Sequence, residues 1–331
     1  MITLLMLACA GCATKDEEGT YDSGAAFIDD DSGPEACVAT VLVGSDGTDS
    51  VIPEAGATDV YYREQLQVSF TADPQDAIVQ VLDATGTALS NAVVTWSEGR
   101  VQAFVDVTLE PSTAYTLHVV ACDVVSDYSF TTSSLGVPLT ILPEDLVGRT
   151  YMFRLSDANI TEPAFLDAVA GMYLIVPLLI GVTASDATTI DMLGALGYHE
   201  DDGSYTQIDG QPTWDFPAGD FAEQPYFEAF ADQITITYSD IPVPIENFAL
   251  SGTFTADGSS IAEGVATGFG DSRHMGSLVG REGDLNAMCE VAEAAGVICE
   301  ACSDGAEYCL WIVAENITAV WQDGLTLTEA L

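Results

Sequence analysis

The chain has 331 residues, with 52 Asp and Glu against 7 Lys and Arg, and a formal net charge of −45. That balance excludes nucleic acid as a partner, because Lys and Arg contacts to phosphate supply most of such affinity. The acidity fits a marine or high-salt setting, where screening tolerates dense like charge, and equally a surface that collects divalent cations weakly.

Leu4 to Ala8 is a short apolar block followed by small residues. A bilayer span needs about 20 apolar residues, so the block suits the hydrophobic region of a signal peptide instead. Cys9-Ala10-Gly11-Cys12 resembles the lipobox of bacterial lipoproteins, in which small residues precede a cysteine that is lipidated and becomes the mature N-terminus. It differs from the usual pattern in having Cys at position 9 and no basic residue before the apolar block. The resemblance implies a signal peptide over 1–12, lipidation at Cys12 and, from Ala13, an outer-membrane location. A covalent anchor works whatever the protein's charge, whereas a polybasic patch is not available to a chain this acidic. Residues 13–36 are acidic and poor in apolar side chains and read as a disordered stalk. Asp29-Asp30-Asp31 lacks the D-x-D-x-D-G spacing of a calcium loop and reads as a solvated charge run.

Beyond the lipobox, six cysteines remain: Cys37, Cys122, Cys289, Cys299, Cys302 and Cys309. An even count in an exported chain reads as disulfides. A zinc site would need a second C-x-x-C knuckle, which is missing. The most economical pairing joins Cys37 to Cys122 and closes the last four among themselves, with connectivity open among those four. The long first loop would stabilise by about 4–5 kcal/mol on the chain-entropy account.

Residues 37–136 read as short strands with turn punctuation: QLQVSF, AIVQVLD, AVVTW, VQAFVDVTL, AYTLHVVACD and YSFTTS. Thr116, His118 and Val120 alternate with Leu117 and Val119, a period-2 strand signal. The spacing predicts an Ig-like β-sandwich. IPEAGATDVYYREQLQVSFT, LEPSTAYTLHV and YSFTTS resemble bacterial Ig-like domains of the SbsA type, which implies a spacer or adhesion module. Leu109-x-Pro111-x-x-x-Tyr115 matches a tyrosine corner. His118 is expected to be a structural histidine. A linker follows over 137–148.

Residues 149–331 predict a second β-domain. RTYMFRLSD reads as a strand, and TEPAFLDAVAGM as a short helix capped by Thr161. YLIVPLLIGVTA is the most hydrophobic run, but Pro177 and Gly181 interrupt it and no basic residue flanks it. A buried strand or hairpin is expected over a membrane span. DQITITYSD, NFALSGTFT, SIAEGVATGFG, CLWIVAENITAVW and GLTLTEAL read as further strands, with Asp-Gly turns between them whose two positions both favour positive φ. One longer helix is expected over 282–296, with Leu285, Met288, Ala292 and Ala295 on its apolar face and Gly296 at its end. The pattern predicts an antiparallel β-barrel or curved sheet with a disulfide-stapled helix. QPTWDFPAGDFAEQPYF reads as an aromatic-rich loop between strands. Such barrels can hold one apolar ligand, and Trp214, Phe216, Phe227 and Trp311 are the candidate ligand-binding residues.

No catalytic constellation stands out. His118, His199 and His274 lie in different elements, without metal-ligand spacing. Asp271-Ser272-Arg273-His274 collects catalytic residue types, but no G-x-S-x-G elbow occurs and Arg273 is expected in an ion pair. No cofactor or metal is implied. Two non-enzymatic readings follow: an envelope lipoprotein whose C-terminal barrel binds a small apolar ligand or lipid, or a structural or adhesive surface protein contacting other envelope or extracellular proteins.

Overall fold

A computed structural model describes residues 37–44, 50–154, 157–167, 176–238 and 241–330. Cys12, the stalk and Asp29–Asp31 lie outside the described residues, as does the end of the helix expected after Thr161. The protein is mainly β.

The first domain comprises β1 (Val51–Ile52), β2 (Ala57–Val60), β3 (Leu66–Ser69), β4 (Ile78–Leu82), β5 (Val93–Trp96), β6 (Gln102–Asp106), β7 (Ala114–Ala121) and β8 (Val124–Thr132). They form two four-stranded sheets, ordered β1-β3-β6-β5 and β2-β8-β7-β4, antiparallel except for the β2–β8 pair. Alternation along each strand sends Leu66, Val68 and Val105 from one sheet, and Val81, Leu117 and Phe130 from the other, into a common core. The expected AYTLHVVACD strand ends at Ala121. Cys122 and Asp123, at φ +49° and +64°, make the hairpin turn into β8. The tyrosine corner is present: Tyr115 Oη accepts a 3.0 Å hydrogen bond from the Glu110 amide.

The second domain comprises β9 (Thr150–Phe153), β10 (Asn159–Glu162), β11 (Leu178–Ser185), β12 (Thr189–His199), β13 (Tyr205–Gln207), β14 (Trp214–Asp220), β15 (Tyr226–Tyr238), β16 (Ile241–Phe254), β17 (Ser260–Asp271), β18 (Glu300–Ala301) and β19 (Glu307–Trp321), with one α-helix among the described residues, α1 (Ala287–Ala294). The path β9-β11-β12-β14-β15-β16-β17-β19 returns to β9, where Ala319 pairs with Phe153, so an eight-stranded antiparallel meander closes on itself. β10, β13 and β18 are short additions at its edges. Along β15, Phe227, Ala229, Ala231, Ile234 and Ile236 are buried inside, while Glu228, Phe230, Asp232 and Gln233 face outward. An outer face carrying charge around an apolar interior is the arrangement of a barrel in water, opposite to that of a lipid-embedded one.

The hydrophobic run after Pro177 is the buried hairpin β11–β12, as expected, and no helix among the described residues is long and apolar enough to cross a membrane. Several other elements differ from the sequence reading. Of RTYMFRLSD, Thr150–Phe153 is the strand, and Leu155 and Ser156 lie outside the described residues. Beyond Thr161, the described chain forms a 3-10 turn at Ala164–Leu166. In the Asp-Gly turns only the glycines take positive φ. Asp202, Asp257 and Asp304 instead accept hydrogen bonds from amides two residues on, as Asp257 does from Ser259 at 3.0 Å. The expected aromatic loop is two strands, β14 and the start of β15, joined by a short turn. GLTLTEAL is not a strand; it runs along the outside of the barrel, tied by Thr328 to Gln207 and by Ala330 to Thr213. Leu327 of this segment lies against Gly181 of β11, which gives it a place without ladder pairing.

The linker is part of the barrel's packing. Pro143–Leu146 makes a 3-10 turn, and Leu146 is fully buried in the barrel core. Opposite it, Gly258 holds φ +65°, and a Cβ there would stand 2.7 Å from Leu146 Cδ2, so only glycine fits both the turn and the contact. Its carbonyl accepts hydrogen bonds from Tyr151 Oη at 2.7 Å and Arg149 Nη1 at 2.8 Å.

Candidate functional site

Three places in the molecule are candidates, two of them holding residues that sequence reasoning singled out. These are the barrel interior, the joint between the domains, and the stapled segment at the barrel's opposite end.

In the interior, Tyr151, Phe153, Phe216, Phe221, Phe227 and Phe254 are each less than 2% exposed. Phe254 is their hub, with ring centroids 5.4 Å from Tyr151, 5.8 Å from Phe221 and 5.2 Å from Phe227. These are the edge-on and tilted distances at which aromatic pairs attract beyond simple burial. A side chain bordering a void wide enough for water would carry accessible surface; these carry almost none. Trp214, Phe216 and Phe227 belong to this core. Trp311 does not join them. It lies half-buried on the outer face of β19, paired across the strands with Phe269 of β17 at a centroid distance of 4.9 Å.

The joint is built by one turn. Between β2 and β3, Tyr61-Tyr62-Arg63-Glu64 folds back with the Glu64 amide donating to the Tyr61 carbonyl at 3.0 Å. Tyr61 Oη lies 2.7 Å from Thr253 Oγ1 on β16, and Arg63 Nη1 donates to Glu223 Oε2 at 2.6 Å. The Arg63 guanidinium also stands 3.8 Å from the centre of the Tyr226 ring. Arg63, Asp220, Glu223, Tyr226 and Glu228 line a polar cleft of about 190 Å³. Tyr226 Oη donates to Glu228 Oε1 at 2.6 Å. Burial, followed by the Glu228 carboxylate, pushes the Tyr226 phenol up to about 12. Nothing in the sequence pattern marks YYRE as a docking turn, because its partners are 160 and 192 residues away.

At the far end, Asp271 accepts from Arg273 Nε and Nη2, and Arg273 Nη1 reaches Asp304 at 2.6 Å. Burial would raise the Asp271 pKa, but the Arg273 side chain and amide hold it below the usual carboxylate range. Arg273 therefore has the expected structural ion pair. Ser272 Oγ is buried and donates to the Tyr308 carbonyl at 2.6 Å. Disulfides join Cys289 to Cys299 and Cys302 to Cys309; Cys37 and Cys122 are both disulfide-bonded as well. Helix α1 is shorter than expected, and Leu285 falls before it, 48% exposed, while Met288 and Ala292 are buried. His118 Nδ1 lies 2.6 Å from Asp127 on the neighbouring strand, as a structural histidine does. Among the described residues, no group of three or more His, Cys, Asp or Glu could hold a metal ion.

No family model matches the chain, and no curated protein matches it. Solved structures with partial likeness include CopC from Methylosinus trichosporium OB3b, at 17% identity and a TM-score of 0.23, covering 26% of this chain and 91% of that one. Tandem Ig repeats of Dlar match at 14% identity and a TM-score of 0.20, over 48% of this chain and 92% of theirs. A titin fragment, A168169, matches at 9% identity and a TM-score of 0.20, over 62% and 91%.

Proposed function

We propose that the protein is a non-enzymatic cell-envelope lipoprotein with a structural or adhesive role, in which an Ig-like spacer of SbsA type presents a solid β-barrel for contacts with other envelope or extracellular proteins. The observation that carries this reading over an apolar-ligand carrier is the close packing of the interior side chains among the described residues. The three candidate ligand residues that lie inside the barrel, Trp214, Phe216 and Phe227, pack into an aromatic core with almost no accessible surface. A carrier needs a cavity that takes in most of its ligand's surface, commonly about 300 Å³ or more.

The anchoring at Cys12 rests on the lipobox, and the acidic surface favours covalent tethering over electrostatic adsorption. Native mass spectrometry of the full exported chain, followed by organic extraction, tests both parts. The expected result is a covalent lipid increment that survives denaturation and maps to Cys12, with no other bound molecule. A stoichiometric lipid or other apolar molecule released by extraction would restore the carrier. A mature chain starting elsewhere and bearing no lipid would remove the anchor.

A further inference from the structure

The segment that closes the far end of the barrel is held by two disulfides in unlike surroundings. Cys302 and Cys309, in the β18–β19 hairpin, are 5% and 0% exposed. Cys289 and Cys299, ten positions apart, are both half-buried, and the connection between them reaches solvent at Ala294, Ala295, Gly296 and Ile298. Attack by an external thiol requires a reachable sulfur, and only the second pair offers one.

What that disulfide holds is a marginal helix. α1 has eight residues, and Asn286 at its start makes no side-chain capping bond. Helices shorter than about 12–15 residues are not stable by themselves in water. Three things keep α1 in place: burial of Met288 and Ala292 against the barrel core, the Arg281–Glu290 ion pair at its surface, and the bond from Cys289 to Cys299. The loop it closes also lays Val297 and Cys299 on that core.

The two sulfurs differ chemically. Cys289 sits in the first turn of α1, where unpaired amides favour an anion. Ser272 Oγ lies 3.3 Å from its sulfur. Cys299 has no such surroundings and stands in the loop.

We propose that Cys289–Cys299 is a thiol–disulfide exchange site, opened by an extracytoplasmic dithiol, whose reduction releases α1 from the end of the barrel. A thiolate of the dithiol attacks Cys299 Sγ and forms a mixed disulfide. The Cys289–Cys299 bond breaks, and Cys289 leaves as a thiolate, to which the Ser272 hydroxyl turns its proton from the Tyr308 carbonyl before the sulfur takes up a proton of its own. The second thiol of the reductant then attacks its own bonded sulfur. Cys299 departs as a thiolate and is protonated, and the reductant leaves as an internal disulfide. Two electrons have passed to the protein. With the staple gone, α1 loses its tether and uncovers Met288, Ala292 and the apolar barrel end beneath them.

The test treats the full chain with graded dithiothreitol under native conditions, alkylates the freed thiols, and follows hydrogen exchange over 287–296. Cys289 and Cys299 should be alkylated while Cys302 and Cys309 stay bonded, and 287–296 should lose protection while β15–β17 keep theirs. Opening of Cys302–Cys309 first or together with it, or full protection of 287–296 after reduction, overturns the proposal. Ser272→Ala should slow the first opening about fivefold, the rate equivalent of one ordinary hydrogen bond of about 1 kcal/mol. An unchanged rate in that folded variant removes Ser272 from the mechanism. Since Ser272 is buried, a second measurement avoids the substitution: a monothiol should be trapped as a mixed disulfide on Cys299, and its capture on Cys289 would reverse the assigned direction of attack.

Discussion

Asp271 is 5% exposed, and it keeps its charge there because Arg273 grips both carboxylate oxygens while remaining partly open to water. Removing the arginine strands a buried anion, which costs more than the pair itself contributes. Arg273→Ala is therefore expected to lower unfolding free energy at pH 7, by less than the loss of a partner from a fully buried pair because this one is partly solvated. Asp271 has a depressed pKa in the folded state. Its stabilisation is thus present above the ordinary aspartate value of about 3.9 and is lost as pH falls through the folded one. Urea unfolding at pH 7 and at pH 3 checks this: the penalty should shrink at the lower pH, and an equal penalty would assign the effect to packing alone. At this scale the sequence is legible where constraint is local. The tyrosine corner spans five residues and could be read directly. Arg63 and Glu223, 160 residues apart, could not.

Among elements, the YYRE turn does most to hold the sandwich against the barrel, and it carries a charge conflict. Glu64 on the turn and Glu263 on β17 are both half-buried, and among the described residues neither has an ion-pair partner. Glu263 sits at a bulge, φ +50°, where the register of β17 against β19 slips between Ile261 and Gly264. Burial raises both pKa values, and the Glu263 charge raises that of Glu64 further. The other charged or titratable groups at the joint are Arg63, already paired with Glu223, and Tyr61, Tyr226 and Glu228. A carboxylate with a raised folded pKa contributes its full share below the unfolded value of about 4.3, and loses it as pH rises through the folded value. Glu263→Gln should therefore raise the urea midpoint at pH 7.5, by a few tenths to about 1 kcal/mol, and change little at pH 4. Destabilisation at pH 7.5 would mean that Glu263 has a favourable role that the joint's geometry does not display. Strand alternation and turn residues made the second half of β15, much of β16, β17 and β19 readable in advance, because ladder pairing between neighbours in sequence is a short-range pattern. The tail and α1 were misread for the opposite reason. Leu327 follows a strand-like alternation but finds its place against Gly181, and Leu285 fits a helical face that the chain turns away from the core before using.

For the molecule as a whole, charge is the largest feature with no local answer. There are 52 acidic residues, and the arginines among the described residues are already occupied: Arg63, Arg100, Arg154, Arg273 and Arg281 in ion pairs, and Arg149 on the carbonyls of Asp145, Asp257 and Gly258. Salt acts on both sides of this balance. It weakens the few exposed ion pairs, each contributing at most about 1 kcal/mol, and it screens repulsion among carboxylates spread over the whole surface. Screening length falls from about 10 Å at 0.1 M to about 3 Å at 1 M, so raising salt removes nearly all long-range repulsion while contact pairs are only partly affected. With so many more carboxylates than cations, relief of repulsion outweighs loss of ion pairs. The urea midpoint at pH 7.5 should therefore rise steadily between 0.05 and 1 M sodium chloride, and potassium chloride should act alike, because screening does not distinguish the two salts. Calcium at millimolar concentration is the informative control. An effect no larger than its ionic strength predicts would leave general screening as the cause. A saturating stabilisation at low calcium would place specific cation binding among the forces that hold this acidic protein together.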